Sequence, residues 1–346
     1  MMDSEGHVRR KAAHVVTAKR IAKDLGLSQA AVSLALNQRP GVSDATRKRV
    51  IDYAKTLGYD FSRVQATIRR TKNVLLVRYI RSLHEDMPFF ATLISAVEKA
   101  LIPTEYKLVT MRIDAGGNVR EQIREIRQLD CSGILLLATE LRDEEWGYFE
   151  DLGLPIVVLD TYLPYASVDC VTINNWQGAY QATSALLRES RGCPGHIVAM
   201  VPLRNFNERA DGFYSAVRSN GFSSSSVVTH RIGAYIDAGE RDFSAVLESE
   251  GLTARCYFAD NDQLALGAMR ALISHGYRIP EDVSIIGFDD LDISRYAQPA
   301  LSTVHVPKDY LGRTAVRRLM SVMEPGEWHP VRIEVGTSLV LRESTL

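Results

Sequence analysis

Residues 17–37 read TAKRIAKDLGLSQAAVSLALN, a stretch that predicts two short helices joined by a tight turn. Thr17 suits the N-cap of a first helix over residues 18–25, because its hydroxyl can accept a hydrogen bond from the first turn. Gly26 suits the left-handed residue that ends this helix, and Ser28 suits the N-cap of the second. These local signals together predict a helix-turn-helix.

A third helix is predicted to follow the pair, with Ser43 as its N-cap and the sequence DATRKRVIDYAKTLG after it. Apolar side chains recur at helical spacing on all three helices, which predicts one small shared core. These side chains are Ile21, Ala22, Leu25, Val32, Leu36, Val50, Tyr53, Ala54 and Leu57. The N-terminal part is therefore predicted to be an all-α head, although a helical hairpin alone does not specify DNA binding.

The charges of the 346-residue chain are distributed unevenly. Residues 1–72 contain 15 Lys and Arg against 6 Asp and Glu, a balance of +9, and the remainder contains 26 against 36, a balance of −10. A basic head on an acidic body is typical of a nucleic-acid-binding protein. A merely solvated basic face is the alternative, and the helix-turn-helix pattern favours DNA binding over it.

The runs GLSQAAVSLALN (26–37) and PGVSDATRKRVIDYAKTLGY (40–59) resemble the DNA-binding head of the LacI (lactose-repressor) family. The resemblance implies that the second helix enters the major groove and reads base edges, while other side chains hold phosphates. The base-reading residues that it implies are Gln29, Ala30, Ser33 and Leu34. The remaining contacts that it implies in the head are Thr17, Ala18, Asn37, Ser43 and Thr46.

Two positions of the second helix depart from the family pattern, since many relatives have Thr and Arg where this chain has Ala31 and Leu34. Without that arginine, a bidentate contact to guanine is absent. Leu34 and Ala30 could pack on a thymine methyl group instead, or the operator could be read mainly by Gln29 and by DNA shape. The sequence leaves both alternatives open.

The segment SRVQATIRRTK (62–72) is similar to the hinge helix of the same family, which pairs with a second copy in the minor groove. The resemblance implies DNA contacts for Ser62, Gln65 and Ile68, with Ile68 as a wedge at the central base step. Gln65 stands where relatives usually have alanine. A solvated linker would explain the arginines of this segment almost as well.

After Asn73 the sequence alternates between short apolar strands and amphipathic helices, which predicts parallel sheets covered by helices on both faces. The alternation is longer than one open sheet needs, so the fold class is an α/β body of two doubly wound parallel-sheet lobes behind the all-α head. The resemblance implies that these lobes are periplasmic-binding-protein-like. The strand candidates are residues 73–80, 106–113, 133–139, 155–160, 196–201, 255–260 and 283–290.

Three domains are expected along the chain. They are a helix-turn-helix domain (1–60), a hinge (61–72) and an effector-binding domain (73–346). The last is expected to form a first lobe from residues 73–172 and 303–324 and a second lobe from residues 173–302 and 325–346.

Polar residues follow several predicted strands, at the sheet edge where ligands of doubly wound folds bind. Asp160, Asn261 and Asp289 stand at such strand ends, and Arg209 opens the helix after another strand. The neighbouring acids Asp262 and Asp290 are better explained as helix-cap or turn residues.

The C-terminal part also resembles the LacI family, in the stretches ADNDQLALGAMRAL, GYRIPEDVSIIGFDD, RYAQPALSTVHVPKDYLG and TSLVLREST. The resemblance implies an effector site with polar contacts from four residues and aromatic walls from four others. These are Asp160, Arg209, Asn261 and Asp289, with Phe89, Phe90, Trp176 and Tyr235. Such groups suit a sugar or sugar derivative. A purine effector is the alternative, and Leu203 stands where purine-binding relatives have an additional arginine.

The predicted partners are a palindromic double-stranded DNA operator, a small-molecule effector and a second copy of the chain in a homodimer. The N-terminal sequence lacks a signal peptide, and no apolar run is long enough to span a bilayer, so a cytoplasmic location without membrane contact is expected. An exported sugar receptor, the main non-DNA alternative, would have no use for residues 17–72.

Enzymatic activity is not expected, because the chain lacks the GxSxG, GxxxxGK[ST] and post-strand GxGxxG motifs. The four cysteines, Cys131, Cys170, Cys193 and Cys256, are far apart and form no CxxC pair. No metal, cofactor, disulfide or catalytic residue is therefore predicted.

Overall fold

The computed structural model describes residues 17–36, 42–57, 59, 72–82, 87–189, 192–324 and 328–346. These described residues fall into two compact units, one within the bounds 1–72 and 124–132 and the other within the bounds 73–123 and 133–346. The predicted DNA contacts Asn37, Ser62, Gln65 and Ile68 lie outside the described residues, as does most of the predicted hinge.

The head contains three helices: α1 (Ala18–Leu25), α2 (Gln29–Leu36) and α3 (Asp44–Thr56). The predicted starts of the three helices and the predicted end of α1 are confirmed. The hydroxyls of Thr17, Ser28 and Ser43 accept hydrogen bonds from backbone N–H groups three residues on, at 3.4, 3.0 and 3.2 Å, and Gly26 ends α1 with φ of +66°. The predicted apolar residues form one core, in which Ile21, Ala22, Val32, Leu36, Val50 and Ala54 are buried.

The body contains two parallel sheets and a short antiparallel pair. Its strands are β1 (Asn73–Ile80), β2 (Lys107–Asp114), β3 (Gly133–Leu137), β4 (Ile156–Leu159), β5 (Asp169–Ile173), β6 (Gly195–Ala199), β7 (Thr229–Ile232), β8 (Cys256–Ala259), β9 (Ser284–Ile286), β10 (Thr303–His305), β11 (Arg332–Val335) and β12 (Ser338–Val340). The six-stranded sheet has the order β11-β5-β4-β3-β1-β2, and the four-stranded sheet has the order β7-β6-β8-β9. We call the parts built on them the first and the second lobe. The predicted fold class is confirmed.

Helices alternate with these strands. They are α4 (Pro88–Leu101), α5 (Val119–Ile126), α6 (Gly147–Glu150), α7 (Asn175–Arg188), α8 (Arg204–Ser219), α9 (Ile236–Glu250), α10 (Asp262–Ser274), α11 (Asp292–Tyr296) and α12 (Lys308–Met323). Apolar residues of the first sheet, such as Leu76 and Val157, form one core with Phe213 and Phe258 of the second lobe. A further core, which includes Ile197 and Leu264, lies within the second lobe.

The boundaries of the lobes differ from the prediction in two places. Residues 325–346 are expected in the second lobe, where β12 does pair with β10, but β11 pairs with β5 in the first lobe, with Arg332 opposite Cys170. Otherwise β5 would be an edge strand, and buried strands need partners for their backbone groups. Residues 303–324 are expected in the first lobe, and Arg318 of α12 does donate a hydrogen bond to Asp169 of β5 there, but β10 continues the second sheet through bridges from Ser302 to Ile286 and from His305 to Asp289.

No described helix is long and apolar enough to cross a membrane. Among the same residues, no group of three or more His, Cys, Asp or Glu side chains is arranged to hold a metal ion.

Candidate functional site

Helix α2 of the head presents a polar face opposite its buried one. Val32 is buried against the other helices, whereas Gln29 and Ser33, one turn apart, are exposed. Leu34 is half-buried, and Arg47 of α3 donates a hydrogen bond to its carbonyl oxygen at 3.5 Å. The exposed face therefore carries two of the predicted base-reading side chains on a helix held by its neighbours.

The residues predicted to contact phosphates include helix caps. The Thr17 and Ser43 hydroxyls each accept a backbone hydrogen bond, and the Ser43 hydroxyl lies 2.8 Å from that of Thr46. The Thr17 hydroxyl therefore still has a proton to donate to a phosphate oxygen, as does whichever of the Ser43 and Thr46 hydroxyls accepts the hydrogen bond between them. Ala18, at the first position of α1, is half-buried.

In the body, Arg209 is the centre of a buried polar cluster. Its Nε donates to Asn175 Oδ1 at 2.9 Å, one terminal nitrogen donates to the Asp260 carbonyl at 2.5 Å, and the other contacts Asp289 Oδ1 at 3.2 Å. The guanidinium also lies over the Phe288 ring, 3.7 Å from its centroid. An arginine held at three nitrogens and on one face has a fixed orientation.

The path of the chain places these groups. Asp160 directly follows β4 and has φ of +72°, and Asp289 follows β9 with φ of +107°, which is strained for residues other than glycine. Gly212 allows α8 to approach α7, because a Cβ there would clash with the Trp176 carbonyl oxygen. Burial raises the pKa of the Asp289 carboxyl, and the nearby Arg209 and Lys308 oppose that shift.

Asp160 lies where the two lobes meet. Its Oδ2 accepts hydrogen bonds from Thr139 of the first lobe at 2.5 Å and from Asn205 of the second at 3.3 Å. Its Oδ1 is buried and has no hydrogen-bond partner among the described residues. Burial raises the pKa of this carboxyl to about 7, although Thr139 and Arg209 oppose the shift. A buried carboxyl oxygen without a partner leaves hydrogen-bonding capacity for a ligand.

The other polar residues at the strand ends have structural partners. Asn261 caps α10 by accepting from the Leu264 N–H at 3.0 Å. Asp262 accepts from the Leu291 N–H at 2.8 Å and from the hydroxyls of Ser294 and Thr303. Asp290 contacts Arg342 at 2.5 Å and His305 at 2.8 Å. Asp262 and Asp290 therefore act as the structural residues that the sequence favours.

The four predicted aromatic walls are placed differently from one another. Phe89 and Phe90 pack edge to face at the start of α4, with ring centroids 5.5 Å apart. Lys308 lies 5.8 Å from the Phe89 ring and donates to the Asp289 carbonyl, which links this pair to the Arg209 cluster.

Tyr235 precedes α9 and packs on the apolar core of the second lobe. Trp176 instead stacks on Tyr180 of its own helix, with 46% of its surface exposed.

A cavity of about 470 Å³ lies next to Thr139, between the loops after β1 and β3 and the start of α8. It is lined by Arg81, Ser82, Thr139, Glu140, Leu141, Arg142, Asp143, Glu144, Val201, Pro202, Leu203, Arg204 and Asn207. None of the eight predicted effector residues lines it, but Thr139 connects it to Asp160. We call this space the cleft cavity.

Sequence reasoning missed Thr139, Asn205 and Asn175. Thr139 closely follows β3, and Asn205 lies one helical turn before Arg209. The rule that ligands of doubly wound folds bind beyond the carboxyl ends of the strands could therefore have found Thr139 and Asn205 as well. Asn175 has no such signal.

Comparison with known proteins identifies both parts of the chain. Residues 17–61 match the model of the bacterial regulatory proteins of the lacI family, and residues 191–345 match that of the periplasmic binding protein-like domain. The chain is 27% identical to the transcriptional repressor PurR of Mannheimia succiniciproducens, over 95% of this chain and 98% of that one. It is 29% identical to the ribose operon repressor of Halalkalibacterium halodurans, over 96% and 97%.

Among solved structures, the complex of the transcriptional regulator CelR with cellobiose is 27% identical and covers 95% of this chain and 99% of its own, with a TM-score of 0.69. These relatives are transcriptional regulators rather than enzymes. The chain therefore combines a lacI-family head with a periplasmic-binding-protein-like body, and along nearly its whole length it is similar to effector-controlled DNA-binding transcriptional regulators.

Proposed function

We propose that this regulator is a homodimeric repressor, and that a sugar or sugar derivative bound between its two lobes releases it from a palindromic operator. The repressor relatives and the cellobiose-bound CelR support the class of activity and of ligand. The two-fold dimer follows from the head, because each helix-turn-helix reads one half-site.

The observation that carries the effector site is the unpartnered Oδ1 of Asp160. This carboxyl lies between hydrogen-bond donors of both lobes, one of which, Thr139, lines the cleft cavity, and it interacts electrostatically with Arg209. A sugar hydroxyl can donate to a carboxylate and accept from another group at once, so it suits such a site. The proposed contacts are those of Asp160, Arg209, Asn261 and Asp289, with Phe89, Phe90 and Tyr235 nearby and Trp176 at the periphery.

A ligand at this position can control DNA binding because it contacts both lobes. The affinity of the ligand then depends on the angle between the lobes. The difference in its binding free energy between two arrangements of the lobes is the free energy available to change the state of the hinge and head. The hinge and head contacts Thr17, Ala18, Asn37, Ser43, Thr46, Ser62, Gln65 and Ile68 are proposed on the family pattern.

The experiment that tests this function has two steps. First, an operator is selected from random double-stranded DNA by the purified chain, and then a panel of sugars and purines is screened for a rise in melting temperature. We expect a palindromic operator and at least one sugar that both stabilises the protein and weakens operator binding. Selection of no DNA sequence, or stabilisation by sugars without any effect on DNA affinity, would contradict the proposal.

A purine corepressor is the second candidate, favoured by the PurR relatives at 27% and 28% identity. Leu203, which lines the cleft cavity, supplies no charged donor for a purine. In the same screen a purine that strengthens operator binding would select this candidate instead.

Replacing Gln29 by Ala is expected to weaken binding to the selected operator and to relax its specificity. A bidentate amide contact to adenine contributes about 1–3 kcal/mol, which corresponds to a loss of roughly 5-fold to 150-fold in affinity. Because Gln29 is exposed in α2, the melting temperature is expected to stay constant. The binding is measured by titrating operator variants, with Lys48→Ala in α3 as an exposed control. Equal losses for all DNA sequences would mean that Gln29 does not read a base.

Asp160→Asn is expected to remove part of the pH dependence of stability. The pKa of Asp160 is about 7 in the folded protein, against about 3.9 for an unperturbed aspartate, so the folded state binds the proton more tightly than the unfolded chain. The free energy of unfolding therefore falls as pH rises from 5.5 to 8, by about 2 kcal/mol from this residue.

Urea unfolding of both proteins at the two pH values measures that difference. Burial also raises the pKa of Asp262 to about 7. Asp262 is present in both proteins, so its contribution cancels when their pH dependences of stability are compared. The same pH slope in variant and wild type would contradict the prediction.

A further inference from the structure

The charged side chains that line the cleft cavity balance one another. They are Arg81, Arg142 and Arg204 against Glu140, Asp143 and Glu144, so their formal charges sum to zero. Leu141, Val201, Pro202 and Leu203 supply apolar lining between them. A mixed lining of this kind fits a ligand with both hydroxyl groups and C–H faces.

Arg204 is the cation best placed to meet a ligand, because it begins α8 at the cavity wall. Its terminal nitrogen lies 2.7 and 2.9 Å from the two carboxylate oxygens of Asp143, which belongs to the first lobe. The guanidinium also lies 4.9 Å from the centroid of the Tyr162 ring. Its charge is thus already compensated by the protein.

Two of the other lining charges, those of Arg81 and Glu140, are also held by the protein. Arg81 forms an ion pair with Glu145, outside the cavity lining. Glu140 is 7% exposed and accepts hydrogen bonds from the backbone N–H groups of Arg81 and Ser82, at 2.8 and 2.9 Å, and from the Ser82 hydroxyl. Arg142 and Glu144, two positions apart in the sequence, are both exposed and carry opposite charges. An anionic ligand would have to displace Asp143 from Arg204 and approach the fixed Glu140 carboxylate.

We infer that the cleft selects an uncharged polyhydroxy ligand, and that Asp143 sets this selectivity by neutralising Arg204. The inference rests on the proposed function, because it assumes that the effector binds between the lobes. It adds the charge class of that effector, and it adds Asp143 as a residue that determines specificity. Among the described residues, no direct contact joins Asp143 to the predicted effector residues.

The test compares neutral sugars with their charged counterparts on the full chain. Cellobiose, ribose and glucose are paired with cellobiose 6-phosphate, ribose 5-phosphate and glucuronate, and dissociation constants are obtained from concentration-dependent melting temperatures. In wild type, the best neutral sugar is expected to bind at least about tenfold more tightly than its charged counterpart.

Asp143→Asn releases Arg204 for a charge-assisted hydrogen bond to an anion, so the affinity ratio is expected to shift by about tenfold towards the charged sugar. Asp211→Asn, an exposed residue of α8, removes the same charge away from the cavity lining and is expected to leave the ratio unchanged.

The outcomes separate the two levels of the proposal. If only the charged sugars bind wild type, or if Asp143→Asn leaves the ratio unchanged, the charge inference is wrong while a sugar effector stands. If no sugar of either kind binds any of the three proteins, the proposed sugar effector fails and the inference fails with it.

Discussion

Arg209→Met is expected to abolish the response to the effector and to lower the free energy of unfolding of the body by about 3–5 kcal/mol, the usual cost of removing one partner of a buried ion pair. The substitution leaves the Asp289 carboxylate, 7% exposed, without its guanidinium. It also removes the donors to Asn175 and to the Asp260 carbonyl. The expected loss of stability therefore has two causes. The Asp289 carboxylate is left unpaired, and two buried acceptors, Asn175 Oδ1 and the Asp260 carbonyl oxygen, lose their donor.

Two further variants separate binding from folding. Arg209→Lys keeps a positive charge opposite Asp289 but lacks the planar fork, so we expect a smaller loss of stability with the same loss of effector response. Arg218→Met, on the exposed side of α8, is expected to change stability by less than about 0.5 kcal/mol.

Urea unfolding gives the stabilities, and operator titration with and without the stabilising sugar gives the response. DNA binding in the absence of sugar is expected to persist in the lysine variant. If that variant responds to the sugar as wild type does, Arg209 supports the fold and does not contact the effector.

The head could be predicted from the sequence almost residue by residue, because its determinants are local. Thr17, Gly26, Ser28 and Ser43 act on backbone groups within one turn, and the structure has each in its predicted place. The apolar spacing of three short helices then leaves one way to bury them together.

The body could be predicted as parallel lobes, because continuous apolar strands are typical of sheets covered on both faces. The pairing of β11 with β5 could not be predicted, because the paired residues lie about 160 positions apart in the sequence. In addition, β11 has only four residues, and only one of their side chains is buried. A short, mostly exposed strand carries little periodicity, and its partner is decided by which sheet edge needs hydrogen bonds.

The site shows the same division. Positions at or after strand ends predicted Asp160, Arg209 and Asp289 as site residues. In the structure Arg209 forms an ion pair with Asp289, and Asp160 interacts electrostatically with both. Trp176 was selected by resemblance, yet its observed partner is Tyr180, because the second residue of α7 projects towards solvent. Which side chains complete a cluster depends on contacts between elements distant in sequence, such as Thr139 with Asp160.

Asp262→Ala is expected to destabilise the second lobe by about 3–5 kcal/mol, because it removes a fully buried acceptor that holds three donors. The donors are the Leu291 N–H and the Ser294 and Thr303 hydroxyls, which flank the chain that carries Asp289. Loss of these bonds therefore also releases the Asp289 carboxylate from its position, and we expect the effector response to weaken along with stability.

Asp262→Asn tests whether the charge of Asp262 or its set of hydrogen bonds stabilises the second lobe. Burial already raises the pKa of Asp262 to about 7, so the ionised form gains little from its surroundings. An amide keeps one acceptor and can donate to the hydroxyl of Thr303 or Ser294, so its cost is expected to be only about 1 kcal/mol.

Asp282→Ala is the matched surface control, since Asp282 also accepts three hydrogen bonds, all from Arg278, but with 31% of its side chain exposed, so that solvent can replace them. Guanidinium unfolding measures all three variants. A loss for Asp262→Asn as large as for Asp262→Ala would show that the carboxylate charge, and not the set of hydrogen bonds, holds this part of the second lobe together.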